Sequence, residues 1–510
     1  MQSPIERLTV KAPRSTIWLL FCAVALAGCK SERAPSFVSS EDVKELAPAA
    51  QEQLVAELTA TFGTPTQLVA TPALNVDYGT YTGTVRKALE QPGTLLVYLK
   101  TSSNLASDDR FEDLSGSAVV LAGSSEATEG EAAEGEEAAK EESEAAPTYL
   151  VESFSLVPDT PGTEHGRLGK LVLVDASGAP AAVSVNENDT LTITGDGLQH
   201  GRNLYLRHCM HCHGVSGDGA GPTAEYFTIK PRDYRKGIFK FKSTNGEIRA
   251  SRDDLYRMIK LGAPGTYMPS FMLLPDSEVH ALVEYVRWLS MRGQMEGKFV
   301  TEFGTDFPIT RLEEESEEDV AKEFDEFWAE NKADLREFIQ GDIVNFWTES
   351  EDEANIVWPK ADVLDENGEV KEKNGKPAPR TPPTAESILN GRKLFMNKDK
   401  GNCFSCHGET ARGNGASTET LNDKPGQPGV KNEKPGLYDD WGYLVKPRDL
   451  TSGIYRGGRR PIDIYRRIHT GIKGTPMQAF GGTLKSHEIW DIVNYVLSIP
   501  VIGAVPPSQE

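Results

Sequence analysis

One short pattern occurs twice in this chain, as His208-Cys209-Met210-His211-Cys212-His213-Gly214 and as Gly401-Asn402-Cys403-Phe404-Ser405-Cys406-His407-Gly408. The surroundings repeat with it. Gly201 and Tyr205 precede the first copy as Gly391 and Phe395 precede the second. Lys230-Pro231-Arg232-Asp233 returns as Lys446-Pro447-Arg448-Asp449, and Asp254-Leu255-Tyr256-Arg257 as Asp463-Ile464-Tyr465-Arg466. Gly265-Thr266-Tyr267-Met268 returns as Gly474-Thr475-Pro476-Met477. Duplication on this scale predicts two tandem domains of one fold.

The spacing Cys-x-x-Cys-His also has a chemical reading, because it is how haem is attached to protein. Two thiols add across the porphyrin vinyl groups, and the adjacent histidine is held beneath the iron. Cys209, Cys212 and His213 form one such set, and Cys403, Cys406 and His407 the other. A zinc or redox Cys-x-x-Cys with a chance histidine is the alternative. The second copy, with its matching downstream context, favours two covalently bound haem c groups.

The N-terminus reads as an address. Arg7, Lys11 and Arg14 precede a short apolar run from Ile17 to Ala25, followed by Leu26-Ala27-Gly28-Cys29. This resembles the lipobox of bacterial lipoprotein precursors, which implies cleavage before Cys29 and lipid on its thiol. The run is too short to span a bilayer as an uncleaved anchor. Lys30 rather than Asp after the cysteine resembles the pattern that sorts to the outer membrane. Of the six cysteines, Cys22 leaves with the leader, Cys29 takes lipid and four hold haem, so none remains for a disulfide. With a formal charge of −22, the chain is not expected to bind nucleic acid. Such charge maintains solubility and can steer basic partners.

The expected organisation is a signal peptide (1–28), a tether and helix (29–65), an N-terminal domain (66–195), a first haem domain (196–293), an acidic helical linker (294–383) and a second haem domain (384–502). Val43, Leu46, Leu54, Leu58 and Phe62 predict a helix over Asp42–Phe62, stopped by Gly63 and Pro65. Between 66 and 195, Thr94–Leu99, Ala118–Leu121, Tyr149–Leu156, Lys170–Val174 and Thr190–Thr194 are strand-like, and residues 124–146 read as a disordered acidic insertion. His165 and His200 are isolated surface histidines. In the linker, Val320, Phe324, Phe327, Trp328, Leu335, Phe338 and Ile339 form an apolar stripe behind a capping box at Ser316, expected to pack between the flanking domains. Asp365–Pro383 reads as a flexible linker. The fold class is therefore mostly α: two tandem helical haem domains preceded by a small β-rich domain.

Both haem regions resemble the small class I cytochromes c. The resemblance covers somewhat over a third of the chain and leaves residues 30–195 unaddressed. It implies that His213 pairs with Met268, and His407 with Met477, as axial ligands, each methionine lying in a Gly-Thr-x-Met loop before the last helix. Core packing is the alternative role for these methionines, but the loop context and the repeat favour ligation. Met272 and Met258 are rival ligands for the first haem. The resemblance further implies a proline carbonyl that orients the ligating histidine. Pro222 fits that role, whereas Gly413-Asn414-Gly415-Ala416-Ser417 in the second domain offers no matching proline. Arg232 and Arg448 suit haem propionates, or else surface ion pairs. The extra sequence around Asp423–Gly436 reads as an enlarged surface loop.

Two strong axial ligands leave no open position on iron, so the expected function is electron relay. The protein would face the periplasm on a lipid anchor. It would take electrons from a quinol-oxidising complex or a periplasmic dehydrogenase and deliver them to a terminal oxidase or reductase. A dihaem peroxidase is the alternative enzyme, and an electron-transfer subunit of a larger membrane complex the alternative assembly.

Overall fold

The computed structural model describes residues 36–504 except 72, 102–113, 115–116, 123–147, 159–165, 176–177, 195–196, 365–369 and 378–379. The expected leader, the lipidation residue Cys29, the insertion 124–146 and His165 lie outside the described residues.

The N-terminal region is a closed six-stranded barrel. Its strands are β1 (Tyr81–Ala88), β2 (Thr94–Thr101), β3 (Ala118–Ala122), β4 (Thr148–Leu156), β5 (Arg167–Val174) and β6 (Thr190–Ile193). They pair antiparallel in the closed order β1-β2-β5-β4-β3-β6. Alternate residues point inward, so Tyr81, Val85, Leu95, Val97, Leu99, Leu171, Leu173, Leu191 and Ile193 fill the interior. Closure pairs Tyr81 with Thr101 on one side and with Ile193 on the other, which leaves no open edge. This corrects the expected fold class. With 43% helix, 15% strand and a complete barrel, the chain is not mostly α with a loosely β-rich appendage.

Helix α1 (Pro48–Phe62) starts with Pro48 in its first turn, where the missing N–H costs nothing, and ends at Gly63 with φ 73°. The expected start of this helix, at Asp42, lies instead in a separate 3₁₀ turn, Glu41–Glu45. The first repeat contains α2 (Gly197–His208), the single turn α3 (Met210–His213), α4 (Arg252–Leu261) and α5 (Asp276–Asp306). Helix α5 does not stop near Arg292, where the repeat was expected to end. Met295, Phe299 and Phe303 keep recurring on its inner face, and α6 (Glu317–Glu349) packs back against them. The Phe303 and Phe324 rings meet edge-on at 5.1 Å. Val320, Phe324 and Ile339 of the expected stripe are buried, whereas Phe338 is exposed. Leu54, Leu58 and Phe62 of α1 join the same core, and buried Glu57 accepts two hydrogen bonds from Arg336 of α6 at 2.6 and 2.7 Å.

Where Asp365–Pro383 was expected to be a flexible linker, β8 (Val370–Pro377) pairs antiparallel with β7 (Lys360–Leu364) in a hairpin. The second repeat follows with α7 (Ala385–Met396), the turn α8 (Phe404–His407), α9 (Pro461–Thr470) and α10 (Ser486–Ile502), around its own core. Its enlarged loop carries two small hairpins, Asp423–Lys424 with Gln427–Lys431 and Leu437–Tyr438 with Leu444–Val445.

The repeats touch directly. Phe241 of the first packs on Gly457 of the second, Arg257 lies 3.8 Å from Asp463, and Glu247 pairs with Lys473. The segment before β7 is bonded to both: Val357 N–H donates to Ser243 O at 2.8 Å, and Arg466 Nε donates to Val357 O at 3.0 Å. Among the described residues no helix is long and apolar enough to cross a membrane.

Candidate haem sites

The duplicated motif folds the same way in both repeats. Helix α2 crosses α5 at Gly201, and α7 crosses α10 at Gly391. A Cβ at either glycine would strike the main-chain carbonyl of Ala281 or Asp491. One turn later Tyr205 packs on Tyr285 (5.1 Å between ring centroids) and Phe395 on Tyr495 (5.4 Å). These crossings aim the next residues, the motif turns α3 and α8, into the domain interior. Gly219 and Gly413, with φ of 73° and 74°, then donate to the carbonyls of His213 and His407 at 3.0 and 2.8 Å and turn the chain back over the motif.

The two histidines are oriented identically. Nδ1 of His213 lies 3.2 Å from the main-chain oxygen of Arg232, and Nδ1 of His407 lies 3.2 Å from that of Arg448. A carbonyl can only accept, so Nδ1 carries the proton and Nε2 keeps its lone pair free for a metal. Burial holds both imidazoles below their ordinary pKa, against the opposing pull of those carbonyls. The neutral, metal-binding form is thereby favoured.

This corrects the role expected of Pro222. That residue is exposed, and the histidine contact belongs to the carbonyl of Arg232, ten positions on. The absence of a proline from the second repeat is explained as well, since Arg448 does the same work there. The repeated Lys-Pro-Arg-Asp segment was the available signal. Its side chains attracted attention in the sequence, but the oriented group is main chain.

The methionine loops also repeat bond for bond. Thr266 Oγ donates to Ala263 O and accepts from Met268 N–H, at 2.7 and 3.1 Å. Thr475 does so with Ile472 and Met477, at 2.7 and 3.4 Å. Met268 and Met477 line the same cavity as His213 and His407. Of the rival ligands, Met258 also lines it, whereas Met272 is 61% exposed at the surface.

That cavity, about 740 Å³, is continuous between the repeats and is lined by all four motif cysteines. The thiols are unpaired, and burial pushes those of Cys209 and Cys403 up to about 12. Most of the wall is apolar, including Leu255, Ile259, Phe271, Ile464, Ile468 and Phe480. Its charged side chains are one-sided: Lys230, Arg232, Lys240, Lys446, Arg448, Arg456 and Arg467 against Asp254 alone. A cationic wall in a chain of charge −22 calls for an anionic occupant.

The sharpest sign is Arg232, whose Nε, Nη1 and Nη2 are all buried without a hydrogen-bond partner. Burial lowers its pKa to about 10, although Asp439 and Asp440 lie near enough to oppose the shift. An orphaned buried guanidinium is costly, and a carboxylate is its natural complement. The apolar wall, the two free thiols of each motif, the free Nε2 atoms and this unsatisfied cationic fork together fit haem c, a flat apolar macrocycle bearing carboxylates.

The repeats are not identical around the site. In the first, Tyr234 OH donates to Tyr205 OH at 2.6 Å, which donates to Gly214 O at 2.7 Å beside His213. Phe395 and Leu450 replace this hydroxyl chain in the second. Sequence reasoning noted Tyr205 but missed its partner.

Comparison with known proteins follows the same division. The cytochrome c family model matches residues 198–290 and 388–500. No curated protein matches the chain. A solved structure, the Kuenenia stuttgartiensis reducing HAO-like protein complex Kustc0457/Kustc0458, aligns over 59% of this chain and 96% of that one, at 24% identity and a TM-score of 0.37. That likeness is too loose to carry an argument.

Proposed function

On the premise that residues 198–290 and 388–500 are cytochrome c domains, which makes this a covalent haem c protein of electron transfer, we propose that it is a dihaem relay, one haem in each repeat. The observation that carries the reading is the single cavity lined by both Cys-x-x-Cys-His turns and both methionine loops. Haem c supplies a one-electron couple, and a histidine–methionine ligand pair raises its potential. The chain does the rest. Cys209, Cys212, Cys403 and Cys406 anchor the two groups. His213 and His407 present Nε2 because the carbonyls of Arg232 and Arg448 hold the other ring nitrogen, and Met268 and Met477 would supply thioether ligands. The apolar wall excludes water, and the basic residues offset carboxylate charge.

The protein is tethered by lipid on Cys29 to a membrane facing the periplasm, with the outer membrane favoured by Lys30. Its donor is a quinol-oxidising complex or a periplasmic dehydrogenase, and its acceptor a terminal oxidase or reductase. The acidic surface supports partners with basic docking faces. The test is an optical redox titration of the holoprotein, repeated under carbon monoxide and with peroxide. Two low-spin components that ignore both reagents are expected. A component that binds carbon monoxide or consumes peroxide replaces the relay with a peroxidase.

A further inference from the structure

The two arginines that orient the histidines do not stay in their own repeats. The guanidinium of Arg232 crosses to the second, lying 3.8 Å above the Trp441 ring in its enlarged loop. It also reaches the second methionine loop, where a Cβ at Gly474 would sit 3.1 Å from Nη1. Arg448 makes the reciprocal crossing. A Cβ at Gly265, in the first methionine loop, would sit 3.1 Å from its guanidinium. In each loop the contacted glycine stands three residues before the methionine.

We propose that Arg232 and Arg448 are exchanged between the sites. Each is tied by its main-chain oxygen to the histidine of its own motif and gives its guanidinium to the haem carboxylates of the other repeat. Three observations converge. Arg232 is buried with no side-chain nitrogen hydrogen-bonded, although Asp439 and Asp440 of the second repeat lie near, so its fork is free to take a carboxylate. The groups that shape its position, Trp441 and Gly474, belong to the second repeat. The same crossing recurs at Arg448, whose Nε donates to Ile454 O at 2.7 Å and Nη2 to Ser452 Oγ at 3.4 Å in its own repeat while the guanidinium lies against Gly265 of the other.

These are positioning residues that also set charge. A fixed positive charge near a haem favours its reduced form, so each arginine raises the potential of the partner site more than that of its own. Because one residue contacts one site through its carbonyl and the other through its side chain, the two couples are not independent. The proposal rests on the dihaem reading above, and its test separates the two.

The experiment is a potentiometric titration of holoprotein in which one site is first tagged. Met268→His or Met477→His replaces a thioether with an imidazole and drops the potential of that site, which leaves the higher step to the untagged one. In the Met268→His background, Arg232→Gln is expected to shift the remaining high step, that of the second site, downward. In the Met477→His background the same change shifts the first site less. Arg448→Gln gives the mirror pattern. Arg232→Lys, which keeps the charge, stays near the parent value and controls for misfolding. A shift confined to the arginine's own repeat, equal shifts at both sites or no shift overturns the exchange while leaving the dihaem reading standing. Methionine tags that move no midpoint overturn the ligand reading, and the proposal with it.

Discussion

Gly201 rests directly on the main-chain carbonyl of Ala281, with the Cβ of Tyr285 only 3.0 Å from where its own Cβ would be. Helices α2 and α5 approach this closely because one side contributes no side chain. Gly201→Ala must push the helices apart, and overpacking of this kind costs about 1–3 kcal/mol. A lowered thermal midpoint in holoprotein is the expected result. Gly391→Ala, against the carbonyl of Asp491, should lower the stability of the second repeat by a similar amount.

Glu284 is buried between two arginines. It accepts from Arg252 at 2.6 and 3.1 Å and from the main chain of Asp77 at 2.8 Å, and Arg287, fully buried, lies 3.9 Å away. Arg287 also donates to Glu351 at 2.6 Å and stacks on Trp347. Glu284→Gln leaves buried Arg287 and part-buried Arg252 to share Glu351, at a cost of about 1–3 kcal/mol. Denaturant unfolding should show a lower midpoint with an unchanged slope.

Tyr455 repairs a break in α10. Pro500 lies within that helix and has no N–H for the carbonyl of Val496, so the Tyr455 hydroxyl donates to it at 2.9 Å. Tyr455→Phe keeps the ring and orphans the carbonyl, for a loss of about 1–3 kcal/mol. Faster amide exchange near Val496 would accompany the loss, and unaltered exchange would disprove the repair.

Asp491 has a pKa raised above the ordinary carboxylate value, chiefly by burial, with the Ser387 hydroxyl opposing. A raised folded-state pKa means that the folded protein binds more protons, so this group costs stability as pH rises through its titration. Asp491→Asn should therefore be at least as stable as the parent at pH 7, and that advantage should vanish below about pH 4, where the parent residue is protonated in both states. Thermal melts at the two pH values decide it.

Much of the haem machinery was legible because it is local. The attachment motif and the methionine loop each lie within a few residues, and the repeat printed them twice; Gly201 and Gly391 were visible as repeated positions but not as helix crossings. Five barrel strands were also visible as short β-branched runs. Strand β1 was not, because Gly83 interrupts its pattern and its place is fixed by pairing with Leu99 and Leu191, far along the chain. The hairpin at 360–377 was hidden by a composition of Lys, Gly and Pro. The histidine acceptor was misassigned to Pro222 because a main-chain oxygen leaves no signature in residue type. The crossing of Arg232 to Trp441 depends on how two domains meet, which no single repeat records.

Helix α5 gives the two repeats unequal standing as separable pieces. Its first half closes the pocket around His213, and its second half is the inner member of the layer formed with α1 and α6. Cutting the chain at the end of the sequence repeat would sever one rod through its middle and strip the cover from Phe299, Phe303 and Phe324. The first haem unit can be excised only with the residues from about 36 to 78 and onward to Glu349, while the second carries its core largely within itself. The two tandem domains thus form an ordered pair: one built into a scaffold, the other presented on it.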